Sequence, residues 1–183
     1  MTAAAPAIVV MGVCGAGKTT VGRGLAAARG ATLMEADDFH PPANVAKMSR
    51  GEALDDTDRA PWLAALAAEI TRRRSQGEAV VATCSALKRR YRDVLRGDVE
   101  GAVVFAWLKI SPEEAAARMA ARRDHFMPAS LVPSQFAALE EPADEPGVVI
   151  LDAAAAPAAI VAEILAAIPT TTAAGTLTPR GCP

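Results

Sequence analysis

Apolar positions along the chain follow two alternating patterns. Short, nearly continuous apolar runs recur at 7–12, 79–84, 102–108 and 148–152, with a weaker one at 31–35. Val80-Val81-Ala82-Thr83-Cys84, Val103-Val104-Phe105-Ala106-Trp107-Leu108 and Val148-Val149-Ile150-Leu151 leave no polar face. Such runs suit strands covered on both sides, as in a parallel sheet. Between them, helices are predicted at 18–29, 41–49, 58–75, 88–96, 112–123 and 157–168. Ser111-Pro112-Glu113-Glu114 is a helix start: Ser111 caps, Pro112 suits the first turn, and Glu114 closes a capping box. Ile160, Val161, Ile164, Leu165 and Ile168 mark one face of a packed helix. The alternation predicts an α/β three-layer domain with a parallel sheet and right-handed crossovers. Ligands then gather at the carboxyl ends of the strands.

Composition narrows this picture. The chain has 183 residues, with no long linker before its last segment. One domain over 1–168 is expected. Residues 169–183 lack periodicity and read as a disordered tail. The net charge of −2 offers no basic field for nucleic acid. The apolar stretch 153–168 is too short to span a membrane and contains Pro157 and Glu163. The apolar start lacks a positive leader region and feeds directly into a glycine-rich loop, against a signal peptide. Cysteines at 14, 84 and 182 have no metal or disulfide spacing. They suit a reducing, cytoplasmic location.

The glycine-rich loop carries the chemistry. Residues 12–19, Gly-Val-Cys-Gly-Ala-Gly-Lys-Thr, fill the phosphate-loop pattern G-x-x-x-x-G-K-[ST] between a predicted strand and a predicted helix. Gly12, Gly15 and Gly17 let the backbone turn its N–H groups toward one anion. Val13, Cys14, Ala16 and Thr20 complete the cradle, and the helix N-terminus adds partial positive charge. Lys18 can reach the β- and γ-phosphates, and Thr19 can offer its hydroxyl to Mg²⁺. The chain is therefore expected to bind a nucleoside triphosphate.

Absent motifs limit the use of that triphosphate. The guanine reader N-K-x-D is missing, since the only Asn is Asn44, followed by Val45. Asp98-Val99-Glu100-Gly101 precedes a strand rather than ending one and reads as a turn. The third strand ends Thr83-Cys84-Ser85 without a Walker-B acid, against a motor or helicase. The acids lie instead at the end of the second strand, in Glu35-Ala36-Asp37-Asp38-Phe39-His40. One carboxylate there can hold Mg²⁺ through water, and another can accept a hydroxyl proton during attack on the γ-phosphate. A solvated acidic turn capping the next helix is the other reading.

Six separated strings over about residues 8–152 resemble the gluconate kinases, small-metabolite P-loop kinases. They are Met11 to Thr20; Asp37-Asp38-Phe39-His40-Pro41 with Asn44, Lys47 and Met48; Gly51-Glu52-Ala53-Leu54-Asp55-Asp56-Thr57-Asp58-Arg59-Ala60-Pro61-Trp62-Leu63; and Cys84-Ser85-Ala86-Leu87-Lys88 with Tyr91-Arg92-Asp93. The fifth is Arg118, Arg122 and Arg123 with His125-Phe126-Met127 and Leu131-Val132. The sixth is Gln135-Phe136 with Leu139-Glu140-Glu141-Pro142. The third and fourth strings together are the specific ones. The resemblance implies ATP-dependent phosphorylation of D-gluconate at its 6-hydroxyl, giving 6-phospho-D-gluconate. It also implies a nucleoside-monophosphate-kinase-like fold, a mobile lid at about 124–137 and a homodimer. The chain departs from the family in having Glu35-Ala36-Asp37 where acid–Gly–Asp is expected, in Pro133, and in Asp124 before His125. Its tail has no counterpart.

Within that frame Asp37 is the candidate base and His40 a candidate hydroxyl or carboxylate partner, against a purely structural histidine. Arg59 is the first candidate for the substrate carboxylate, because a guanidinium pairs with it in bidentate fashion. A salt bridge from Arg59 to Asp55 or Asp58 is the alternative. Ser85 falls in the fourth string, among the expected substrate contacts. Lys88 and Arg92 lie one helical turn apart on one face. Lys88 is expected in the cleft, while Arg92 is open between the cleft and a solvated face. Lys47 is a weaker candidate, and Trp62 reads as packing. Thr19 and Glu35 are the expected metal residues, Glu35 through water. Arg118 and Arg122, with Arg123 as an alternate, can lean from the lid over the triphosphate and offset transition-state charge. An ordinary basic helix end is the alternative for these arginines. A shikimate-kinase-like enzyme and a nucleotide-sensing module without turnover are the competing functions.

Overall fold

The computed structural model describes residues 5–98, 101–121 and 129–168. Strand β1 (Ala7–Met11) runs through the phosphate loop into α1 (Lys18–Arg29), then β2 (Thr32–Glu35) and a 3-10 turn (Ala36–Phe39). Two helices follow, α2 (Pro42–Ser49) and α3 (Asp56–Ser75), before β3 (Val80–Cys84), α4 (Arg89–Arg96) and β4 (Val103–Lys109). Helix α5 (Pro112–Ala121), a 3-10 turn (Ala129–Leu131), α6 (Val132–Ala138), β5 (Val148–Asp152) and α7 (Pro157–Ala167) complete the order.

All four strand pairings are parallel, and the sheet order is β2-β3-β1-β4-β5. The predicted three layers are present because alternate strand residues feed two cores. Ile8 and Val10 pack with Leu25, Ile160 and Ile164, on the side of α1 and α7. Ala7, Val9 and Met11 pack with Trp62, Leu66 and Tyr91, on the side of α3 and α4. Every residue of β1 and β3 is buried, which is why neither run has a polar face.

Helix α3 begins two residues before the predicted start. The Asp55 carboxylate accepts from the Asp58 N–H at 2.8 Å, and the Asp58 carboxylate accepts from the Asp55 N–H at 2.9 Å. This reciprocal cap satisfies first-turn donors and sets the helix start. At α5 only half of the expected box forms. The Ser111 hydroxyl accepts from the Glu114 N–H at 3.2 Å, while the Glu114 carboxylate pairs with Arg118 instead.

Of the stretch 124–137, residues 124–128 lie outside the described residues. The remainder forms the Ala129–Leu131 turn and most of α6, with Leu131 and Val132 buried and Pro133 in the first turn. The tail 169–183 also lies outside the described residues.

Candidate active site

The phosphate loop sits at the carboxyl end of β1, between β3 and β4. Its glycines are required by geometry. Gly15 has φ +84°, and a Cβ there would come within 2.7 Å of the Ala115 carbonyl oxygen. Helix α1 also lies close on the sheet, since a Cβ on Gly22 would meet Thr83 Cγ2 at 2.7 Å. The Lys18 ammonium donates to the Val13 carbonyl at 3.0 Å. From α6, Gln135 Oε1 accepts the Cys14 N–H at 2.8 Å.

The loop opens on a concave cleft that is continuous with solvent. It is lined by Cys14, Gly15, Gly17, Lys18, Thr19 and Thr20 of the loop and by Asp37, His40, Arg59, Trp62 and Ser85. The structure thus brings together, on one cavity, residues expected from four separate strings.

Glu35, the last residue of β2, also lines the cleft. Its Oε2 accepts from the hydroxyl of Thr83, and from Thr19 Oγ1 at 3.3 Å. Its Oε1 is buried and has no hydrogen-bond partner among the described residues. A buried carboxylate oxygen left unpaired is costly. Placed beside the Thr19 hydroxyl and facing a phosphate site, it fits a hard, oxygen-seeking cation.

Asp37 is exposed on the 3-10 turn after β2. His40 follows the turn and stacks on Trp62, with ring centroids 4.1 Å apart and 16° between planes. Trp62 Nε1 donates to the Ala36 carbonyl at 2.7 Å, which ties α3 to the acidic turn. Trp62 is thus more than packing, because it carries the ring on which His40 rests. Burial pushes the imidazole pKa below its usual value. Asp37 opposes that shift, and Arg59 adds to it. His40 Nδ1 is buried without a partner among the described residues.

Arg59 does not pair with Asp55 or Asp58. Those two cap α3, and Lys47 bonds Asp58 at 2.6 Å. Arg59 Nη1 instead donates to the Tyr91 hydroxyl oxygen at 3.3 Å. Lys88 departs from expectation. Its ammonium turns to Asp56 at 3.1 Å, and it is not among the residues lining the cleft.

Arg92 corrects both readings of that residue, being neither in the cleft nor solvated. It is fully buried and donates to the carbonyls of Ala86, Leu87 and Glu140 and to the carboxylate of Glu145. Arg92 and Arg96 hold the Glu145 carboxyl down to about 2. The clamp fixes the turn after β3, where Ala86 takes the left-handed φ of +45° beside Ser85.

Arg118 bonds Glu114 at 2.5 Å and the Ala153 carbonyl at 2.9 Å. Its Nη1 lies 4.0 Å from where a Cβ on Gly17 would stand, so the guanidinium borders the phosphate loop. Arg122 and Arg123 lie outside the described residues.

Two contributors carried little sequence signal. Thr83 is the one polar residue in an apolar strand and proves to hold Glu35. Gln135 meets the phosphate loop across 121 residues of sequence, which no local pattern foretells. The Cys84 thiol borders the cleft, but burial pushes it up to about 12, so it is inert as a nucleophile.

Residues 8–146 match the family model described as AAA domain. The chain is 48% identical over 158 residues to the gluconokinase of Gluconobacter oxydans (strain 621H), covering 86% of this chain and 88% of that protein. The crystal structure of a gluconokinase from Sinorhizobium meliloti 1021 superposes with a TM-score of 0.79 at 47% identity, over 89% of this chain and 91% of that one. Shikimate kinase from Aquifex aeolicus vf5 shares the fold alone, with a TM-score of 0.58 at 16% identity over 87% of this chain and 94% of that one. Among the described residues no helix is long and apolar enough to cross a membrane. With the phosphate loop, the acidic turn and the α3 string folded onto one cleft, and with relatives this similar over most of its length, the chain belongs to the gluconokinase family of P-loop kinases.

Proposed function

We propose that this protein transfers the γ-phosphoryl group of ATP to the 6-hydroxyl of D-gluconate, yielding 6-phospho-D-gluconate and ADP. One observation carries the reading: the phosphate loop and the group Asp37, His40, Arg59 and Ser85 line the same cleft.

The loop N–H groups and Lys18 hold the triphosphate, with Arg118 at the loop's edge to offset charge as the transfer proceeds. Asp37 orients the 6-hydroxyl and takes its proton as the oxygen bonds to the γ-phosphorus and the bond to the β–γ bridging oxygen breaks. Arg59 pairs with the substrate carboxylate at the far end. His40, kept neutral by burial, and Ser85 serve the hydroxyls between. Thr19 and Glu35 are the residues that would hold Mg²⁺. The cation, when bound, neutralises charge on the phosphate oxygens. Cys14 and Cys84, both buried and in no disulfide among the described residues, suit a cytoplasmic enzyme.

The test is coupled ADP release with a panel of sugar acids and shikimate. Gluconate-dependent release well above the rate with water alone is expected. Folded protein that releases no ADP in response to gluconate overturns the reading, and a preference for shikimate would redirect it.

A further inference from the structure

Arg59 is held in an unusual way for a cation in a polar site. Among the described residues it has no carboxylate partner, although Asp55, Asp56 and Asp58 all lie within four residues of it. Its one described hydrogen bond goes to a neutral phenol oxygen, that of Tyr91 on α4, at 3.3 Å. The Tyr91 ring is buried in the core beneath α3 and is therefore fixed in place.

The direction of that bond is settled by the next residue. Tyr91 donates its only hydroxyl hydrogen to Asp56 Oδ1. Its oxygen is left able only to accept, and Arg59 supplies the donor. Asp56 is itself anchored, taking Lys88 at 3.1 and 3.4 Å and Arg90 as well. The guanidinium carbons of Arg59 and Arg90 and the Lys88 ammonium stand 5.5–5.7 Å from the Tyr91 ring centroid. The one carboxylate of Asp56 is shared by Lys88 and Arg90 and does not pair with Arg59 among the described contacts.

We propose that Tyr91, fixed by Asp56, is a positioning residue that aims the Arg59 guanidinium at the acceptor's carboxylate without neutralising it. A carboxylate in Tyr91's place would orient Arg59 equally well, but the substrate would then have to displace an existing ion pair. A phenol holds the fork and leaves its full charge for the incoming anion. This also accounts for Lys88, which belongs to the support of the phenol rather than to the cleft wall. The proposal rests on the reading above that Arg59 receives the gluconate carboxylate.

The experiment is a double-mutant cycle on steady-state kinetics, using Tyr91→Phe, Arg59→Ala and the pair. Tyr91→Phe keeps the ring and its packing and removes the hydroxyl, with both its acceptance from Arg59 and its donation to Asp56. It should raise the KM for gluconate roughly 3- to 10-fold, the scale of one lost hydrogen bond. The kcat, the KM for ATP and the thermal midpoint should hold within about two-fold or a degree or two. Arg59→Ala should raise the gluconate KM far more. In that background Tyr91→Phe should add nothing. An unchanged gluconate KM in Tyr91→Phe, an equal effect with and without Arg59, or a parallel loss in the KM for ATP would overturn the proposal. If Arg59→Ala leaves gluconate KM unchanged, the carboxylate reading of Arg59 is what fails, and the Tyr91 role falls with it.

Discussion

His40 lies flat against Trp62, 4.1 Å between ring centroids, with its Nδ1 buried and unpaired among the described residues. An imidazole so placed pays to take up a proton, and its pKa is lowered mainly by burial. Above the unfolded value of about 6.5 both states are neutral and the folded state keeps its full stability. As pH falls below 6.5 the unfolded chain binds the proton more readily, and stability declines until the folded pKa is passed. Thermal midpoints measured from pH 7.5 to 5 should fall for the wild-type protein. The fall should be shallower for His40→Gln, and identical slopes would show that another group titrates in this window.

Lys18→Ala should abolish turnover while leaving the fold intact. Lys18 lines the solvent-open cleft rather than either core, so its loss opens no core cavity. Circular dichroism and coupled ADP release check the two halves. A near-normal rate would refute the phosphate-loop assignment.

Asp37→Asn should lower kcat by at least about 100-fold, the lower range for a general base. Asp37 is exposed on a 3-10 turn, so stability should change little. A change confined to the affinity for Mg·ATP would make it a metal-site residue instead.

Glu35→Gln should raise the Mg²⁺ concentration for half-maximal rate several-fold. The amide cannot offer two anionic oxygens, whereas the native Oε1 is buried, unpaired among the described residues, and next to Thr19. Magnesium titrations at fixed ATP decide the matter. An unchanged midpoint would remove Glu35 from the metal site.

Glu145→Ala should cost about 3–5 kcal/mol, because it strands the fully buried Arg92 guanidinium without its counter-charge. Urea denaturation midpoints measure this. The Glu145 carboxyl is held down to about 2 in the fold. Its stabilisation is therefore complete above the usual carboxyl value of about 4.5 and is lost as pH falls through about 2. The variant should lose less stability than wild type over that acid range. A cost below about 1 kcal/mol would mean that the clamp does not hold the Ala86 turn.

The α/β alternation, the strand spans and the phosphate loop were legible because each is local. Apolar spacing follows the backbone's own repeat, and the loop's glycines are read off a contiguous string. The missed early start of α3 belongs to the same level, since Asp55 and Asp58 are three residues apart and could have been paired as a cap. The site was legible at its two contiguous strings, 12–20 and 35–40, and the structure folds both onto one cleft.

Tertiary structure decided which partner each charge takes. Lys88, the residue that caps the start of α4, and Arg92 within it lie four positions apart and look alike in sequence. Yet Lys88 meets Asp56 across from α3, and Arg92 is swallowed by the loop that carries Glu145. Arg59 has acids at 55, 56 and 58 as chain neighbours, but it faces Tyr91, 32 positions away. The physical reason is the range of the interactions. Hydrogen-bond periodicity and capping act over three or four residues, so the chain alone sets helices, strands and the anion cradle. Ion pairs and aromatic stacks depend on which elements cross and at what height. Only the packing of α3, α4 and the 139–147 loop around the sheet determines those.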